Sequence, residues 1–187
     1  NFGTNFVLFV NHEYNDKLRF VSELELEHSI AGEGKAGEIE LEQAYIQYDV
    51  TDSTSISAGL FIIPVGIMNE THEPPTFYGV ERNPVEKNIV PATWWEGGAM
   101  ITTEITDGLT LDLAGHSGLK ATDGKYKPRD GRQKVGSATA KTGALTTRLK
   151  YTAIPGLELA ATINYQEDYG QELLDNVGSA TLYEAHA

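Results

Sequence analysis

Apolar and polar residues alternate with a period of two along most of this chain, and that spacing belongs to strands rather than to helices. In the cleanest run, Leu157, Leu159, Ala161, Ile163 and Tyr165 share one face, while Glu158, Ala160, Thr162, Asn164 and Gln166 share the other. Leu145, Thr147, Leu149 and Tyr151 likewise oppose Thr146, Arg148 and Lys150, and Leu18, Phe20, Leu24 and Leu26 oppose Arg19, Glu23, Glu25 and Glu27. Nine strands are expected, at residues 5–13, 17–28, 38–50, 55–62, 97–105, 109–117, 143–152, 157–166 and 179–187. Their connections alternate between short and long. The short ones, at 14–16, 51–54, 106–108 and 153–156, carry the Asn, Asp, Gly and Pro of tight turns. The long ones are 29–37, 63–96, 118–142 and 167–178.

A meander with tight turns at one end and long loops at the other fits an antiparallel transmembrane β-barrel, whose tilted strands cross a bilayer in about 9–11 residues. A soluble β-sandwich also alternates, but its strands are usually shorter and its connections do not sort by end. Nine is odd, and an open sheet in lipid leaves edge backbone groups unsatisfied. The chain is therefore read as part of a single barrel of 16–18 strands. Composition narrows the classes further. With 14 basic against 27 acidic residues and a formal charge of −13, nucleic acid is excluded as a partner. The absence of cysteine removes disulfides, thiolate metal sites and thiol nucleophiles. The longest apolar stretch, 58–68, is too short for a membrane helix and contains Pro64. Residues 1–10 lack the basic-then-apolar layout of a secretory signal, leaving a chain that is cytoplasmic, already processed or a piece of something longer.

Between Leu41 and Gly118 the chain carries Ala44, Tyr45 and Tyr48 at the end of one strand. Gly59, Phe61, Pro64 and Gly66 follow in the next, and then Phe77, Arg82, Trp95 and Gly98. This pattern resembles the phosphate-selective porin O and P family of Gram-negative outer membranes, or a related porin. The resemblance implies a trimer-forming, water-filled barrel in the bacterial outer membrane. Such a barrel contacts lipid and lipopolysaccharide, passes small solutes or ions by diffusion, and is narrowed by an inward-folded loop. Loop 63–96 is the candidate constriction, carrying Glu70, His72, Glu73, Glu81, Arg82, Glu86, Lys87 and Glu96. Loop 118–142 concentrates Lys120, Lys125, Lys127, Arg129, Arg132, Lys134 and Lys141 and is the candidate basic extracellular loop. On the strands, Glu23, Glu25, Glu27, Glu104, Asp112 and Glu158 outnumber Arg19, Arg148 and Lys150. Rings of basic residues select anions, so the expected pore is a general, weakly cation-leaning one rather than a phosphate path.

In the acidic double run, Glu23, Glu25 and Glu27 would face Glu42, Glu40 and Glu38 across a hairpin. Like charges directly opposite destabilise a sheet. A Ca²⁺ held by Glu25, Glu27, Glu38 and Glu40, a neighbouring base, or a shifted register would each relieve them, with a solvated acidic rim as the default. The alternation changes phase near Gln43, which signals a bulge. Tyr14, Tyr48, Tyr151 and Tyr165 fall near strand ends on the apolar side, where an interfacial girdle belongs. No catalytic constellation appears. His12, His28, His72, His116 and His186 show no metal-ligand spacing, and Ser117 lacks a nucleophile-elbow setting. The alternatives to a porin are a non-conducting outer-membrane barrel that adheres or binds through its long loops, and a soluble β-sandwich module.

Overall fold

The computed structural model describes residues 6–26, 32–34, 37–72, 83–122 and 124–187, without the side chain of Lys87. The strands are β1 (Phe6–Asn15), β2 (Leu18–Leu26), β3 (Ile39–Thr51), β4 (Thr54–Ile62), β5 (Trp95–Thr106), β6 (Leu109–His116), β7 (Ala144–Tyr151), β8 (Leu159–Gln166) and β9 (Ala180–His186). Each lies within two residues of its expected bounds. A short helix α1 (Pro84–Asn88) and one 3-10 turn (Pro128–Gly131) interrupt the long loops. Every strand pairs antiparallel with its sequence neighbour in one sheet of order β1 to β9. Among the described residues the strands form one sheet rather than two packed face to face. β1 and β9 do not pair, and the sheet is open.

The short turns form as their residues dictate. Asn15 Oδ1 accepts from the amides of Lys17 and Leu18 at 2.9 and 3.0 Å, and Gly108 supplies a φ of 69°. The bulge expected near Gln43 is present: Glu23 pairs with Gln43 and Leu24 with Leu41, so Glu42 is the extra residue. That shift removes the expected opposition of Glu23 and Glu42, whereas Glu25 still faces Glu40.

The two faces of the sheet are dressed in an unusual way. One register row runs Tyr48, Ile56, Ile101, Leu113, Thr147, Ile163 and Tyr183 from β3 to β9. All but Thr147 are exposed, Tyr183 at 73%. A row on the other face runs Asp49, Ser55, Thr102, Asp112, Arg148, Thr162 and Glu184. Its members Asp112, Arg148 and Thr162 are buried. Long-loop residues cover this polar face, and the hydrophobic core of Phe61, Ile63, Val65, Val90, Trp94, Leu119, Ala121 and Tyr169 lies largely among them. Polar inward and apolar outward is the reverse of a soluble sheet.

The sheet also curls toward its polar face. Pro64 stands two residues beyond β4, a reach of about 7 Å. Its carbonyl nevertheless accepts from Thr162 Oγ1 on β8 at 3.4 Å. Four strand spacings in a flat sheet would separate β4 from β8 by about 19 Å, so the strands must curve round to meet the loop. At the start of that loop, Gly59 takes a φ of +138°, and a Cβ there would strike the Ala44 carbonyl oxygen and lie 2.7 Å from Tyr45 Cα. Replacing Gly59 with Ala is expected to cost about 1–3 kcal/mol, read as a lower unfolding midpoint in urea. Wild-type stability would show that the close approach of β3 and β4 is slack.

Candidate functional site on the loop-covered polar face

Loop 63–94 reaches this face through a few polar anchors. Arg148 on β7 is the centre: its Nε and Nη2 donate to Asp112 Oδ2 at 2.9 and 2.7 Å, and Nη2 donates to Glu70 Oε1 at 2.8 Å. Lys150 Nζ adds a bond to Glu70 Oε2 at 3.3 Å, and Thr102 Oγ1 donates to Asp112 at 2.7 Å. On β9, Glu184 accepts from the Gly66 amide at 3.3 Å. At the far side of the sheet, buried His72 bonds Glu42 on β3 at 2.6 Å through Nε2 and the Asn69 carbonyl at 2.8 Å through Nδ1. Asn69 joins the two ends of the loop, donating to the carbonyls of Ile63 and Trp94 and accepting from the Trp94 amide.

Several expected site residues meet here and others do not. Glu70, Asp112, Arg148 and Lys150 form one network, while Glu23 and Glu25 are buried on the same face. Arg19 pairs with Asp49 near the short-turn end. Glu104 lies at that end too and caps the Gly108 amide at 3.0 Å. Glu158 meets His186 at 3.1 Å. Glu86 is not an open lining group: it is buried, and its carboxylate accepts from the amides of Ile67 and Met68. It shapes the loop from within. Glu73, Glu81, Arg82 and the Lys87 side chain lie outside the described residues, as does Glu27. Tyr48 and Tyr151 lie on the apolar side near the short turns and Tyr165 on the same side toward the long loops, while Tyr14 stands exposed at the register shift of β1 with its ring against His12.

Glu184 was not singled out from the sequence, although it stands on the polar side of the last strand. Glu42, named in the acidic run, and Glu96, named in the constriction loop, are both buried. Glu96 accepts from Trp94 Nε1 at 3.0 Å and from Ser117 Oγ. Lys134 from the basic loop meets Glu40 and Glu38, supplying the base that relieves part of the acidic run. Arg132 from the same loop binds the Ala92 and Thr93 carbonyls, each at 2.9 Å. Thus two members of the basic loop act as latches between loops. Glu23, Glu42 and His72 offer ligand atoms within 4.8 Å of one another, close enough for a cation, although His72 already supplies Glu42 with a partner and Gln43 donates to Glu23 at 2.5 Å.

Burial alone would lower the His72 imidazole, but the bond and charge of Glu42, the Asn69 carbonyl and Glu23 outweigh it and raise its pKa above the ordinary 6.5. Burial would raise Glu70, yet Arg148 and then Lys150 outweigh it and hold the carboxyl below 4.5. The His72 contribution is complete below 6.5 and is lost as pH rises through its raised value; the Glu70 contribution is complete above 4.5 and is lost as pH falls through its lowered value. Docking of loop 63–72 is therefore expected to be firmest from 4.5 to 6.5 and to loosen on both sides, read by hydrogen exchange of the Gly66 and Met68 amides. Monotonic protection across that range would contradict the pair of latches. Replacing Arg148 with Met leaves buried Asp112 without its cation and is expected to cost about 3–5 kcal/mol, with Arg148→Lys recovering only part because it cannot bridge both carboxylates. Equal unfolding midpoints for the three proteins would show the network to be inert.

No protein-family model matches the chain. It is 33% identical over 188 residues to an uncharacterized protein of Aquifex aeolicus (strain VF5). The match takes in 96% of this chain and 42% of that protein, so the chain spans less than half the length of its relative. Among the described residues no helix is long and apolar enough to cross a membrane, which says nothing of strands.

Proposed function

We propose that this chain is part of an outer-membrane β-barrel that acts as a porin, letting small hydrophilic solutes or ions diffuse through a water-filled interior. The observation that carries the reading is the inverted dressing of the sheet. A continuous apolar face stands exposed while the charged and amide side chains face inward under the loops. In water such a face would be an extensive association liability; against lipid it is the required surface. The curl toward the polar face and the sorting of short turns and long loops to opposite ends fit the same architecture. The open edges of β1 and β9 call for more strands, because unpaired backbone groups are costly in lipid. A relative more than twice as long as the matched region has room for them.

In this reading loop 63–96 narrows the pore, held by Arg148, Lys150, Glu184 and Glu42. The sheet's inward positions carry Glu13, Glu23, Glu25, Glu40, Asp49, Glu96, Glu104, Asp112 and Glu184 against Arg19, Arg148 and Lys150. This excess of carboxylates favours cations. The resemblance to the phosphate-selective porins supplies the trimer and the lipopolysaccharide contact as parts of the proposal. The test is conductance of the full-length protein in a planar bilayer under a salt gradient. Stepwise conductance with a reversal potential of cation sign is expected. Anion preference would overturn the selectivity assigned to the acidic face. Silent, correctly folded protein would replace the porin with an adhesive or structural barrel.

A further inference from the structure

Two cavities on the polar side differ sharply in chemistry. One of about 540 Å³ at the short-turn end is lined by Asp16, Lys17, Arg19, Asp49, Asp52 and Glu104 among others. The second, about 430 Å³, sits over β8 and β9 beneath the long loops, and none of the side chains lining it carries a charge. On a face otherwise crowded with carboxylates and bases, a charge-free chamber is poorly suited to holding an ion. Its size falls in the range of small-molecule sites.

Its walls offer two kinds of group. Tyr126, half-exposed, and Tyr169, buried, bring aromatic rings from the two loops, with Pro128 beside them. The Tyr169 hydroxyl itself is buried against Gly131 with almost no accessible surface, so this residue offers the chamber its ring. Amides supply the second kind of group. Asn164 spends its Nδ2 on Thr146 Oγ1 at 2.7 Å, and its Oδ1 accepts no bond among the described residues. The Asn176 amide, an acceptor and two donors, is likewise uncommitted. Gln166, by contrast, is consumed in fixing the frame, bonding the Leu119 amide and the carbonyls of Leu119 and Asp168 at 2.7–2.9 Å.

We infer that this chamber binds a neutral polyhydroxylated solute, a sugar or polyol. A hydroxyl both donates and accepts without charge, which suits the Asn176 amide and the Asn164 carboxamide oxygen. The C–H faces of a sugar ring pack against aromatic rings. The inference deepens the porin reading by naming a solute class, but binding itself does not require conduction.

The test is isothermal titration calorimetry of the full-length protein, held in a detergent without a sugar headgroup, using glucose, sucrose and sodium phosphate as probes. Saturable binding of glucose or sucrose, with no heat from phosphate, is expected. Tyr126→Ala, which removes a half-exposed aromatic wall, and Asn176→Ala, which removes an exposed amide, are each expected to weaken sugar binding about threefold to tenfold, the loss of one contact or hydrogen bond. Absence of sugar binding, sugar binding unchanged in both variants, or phosphate competing for the same groups would each overturn the inference. Sugar binding by a protein that does not conduct would uphold this site and remove the channel; conduction without sugar binding would do the reverse.

Discussion

Arg148 is the group around which the polar face closes. Its guanidinium lies between Asp112 on the neighbouring strand and Glu70 on the loop, so one side chain both satisfies the sheet and holds its cover. A planar fork with several donors can engage two carboxylates at once, as a lysine ammonium cannot with the same geometry. Were Glu70 absent, loop 63–72 would rest on the His72–Glu42 pair, the Gly66–Glu184 bond and the Thr162–Pro64 bond, which are spread from β3 to β9. Such anchoring ties distant strands together through the loop and complements the backbone ladder, which joins only neighbours.

The strands were legible in the sequence because their periodicity is imposed by the backbone itself. Leu159, Ile163 and Tyr165 must face one way and Ala160, Thr162 and Asn164 the other once the segment is extended. The bulge at Glu42 was legible for the same reason: an extra residue reverses the phase, and Ile39 and Leu41 fall out of step with Ile46 and Tyr48. The loops were not legible to the same degree. Nothing in the spacing of Glu70, His72 and Glu86 distinguishes a side chain that reaches across to Arg148 from one that folds back on the Ile67 and Met68 amides. That choice is made by tertiary packing, in which the core around Phe61, Ile63 and Trp94 fixes where each loop residue stands.

The glycines of the recognised pattern acquire physical reasons in this setting. Gly59 and Gly98 are cross-strand partners, and at both a Cβ would collide with the backbone of the adjoining strand. Gly66 takes a φ of +74° with the Glu86 carboxylate 3.1 Å from where its Cβ would be. Together they let β4 and β5 lie close to their neighbours just where the loop turns over the polar face. A pattern that in sequence is only a set of short, degenerate pieces thus corresponds to one structural requirement, the inward turn of loop 63–94.

Charge is distributed along the polar side in a way that bears on what it could admit. Toward the short turns, Lys17 and Arg19 stand among Asp16, Asp49, Asp52 and Glu104 around an open cavity. In the middle, Arg148 and Lys150 are committed to Asp112 and Glu70, two bases to two carboxylates, so their fields largely cancel. Under the long loops the Tyr126–Tyr169 chamber has no charged lining at all. An ion moving from the loops to the turns would exchange hydration for neutral dipoles first and meet uncompensated charge last, whereas a hydroxylated neutral molecule would find its best contacts at the outset. On the proposed reading, the acidic excess sets which ions cross, and the neutral chamber sets which uncharged solute lingers.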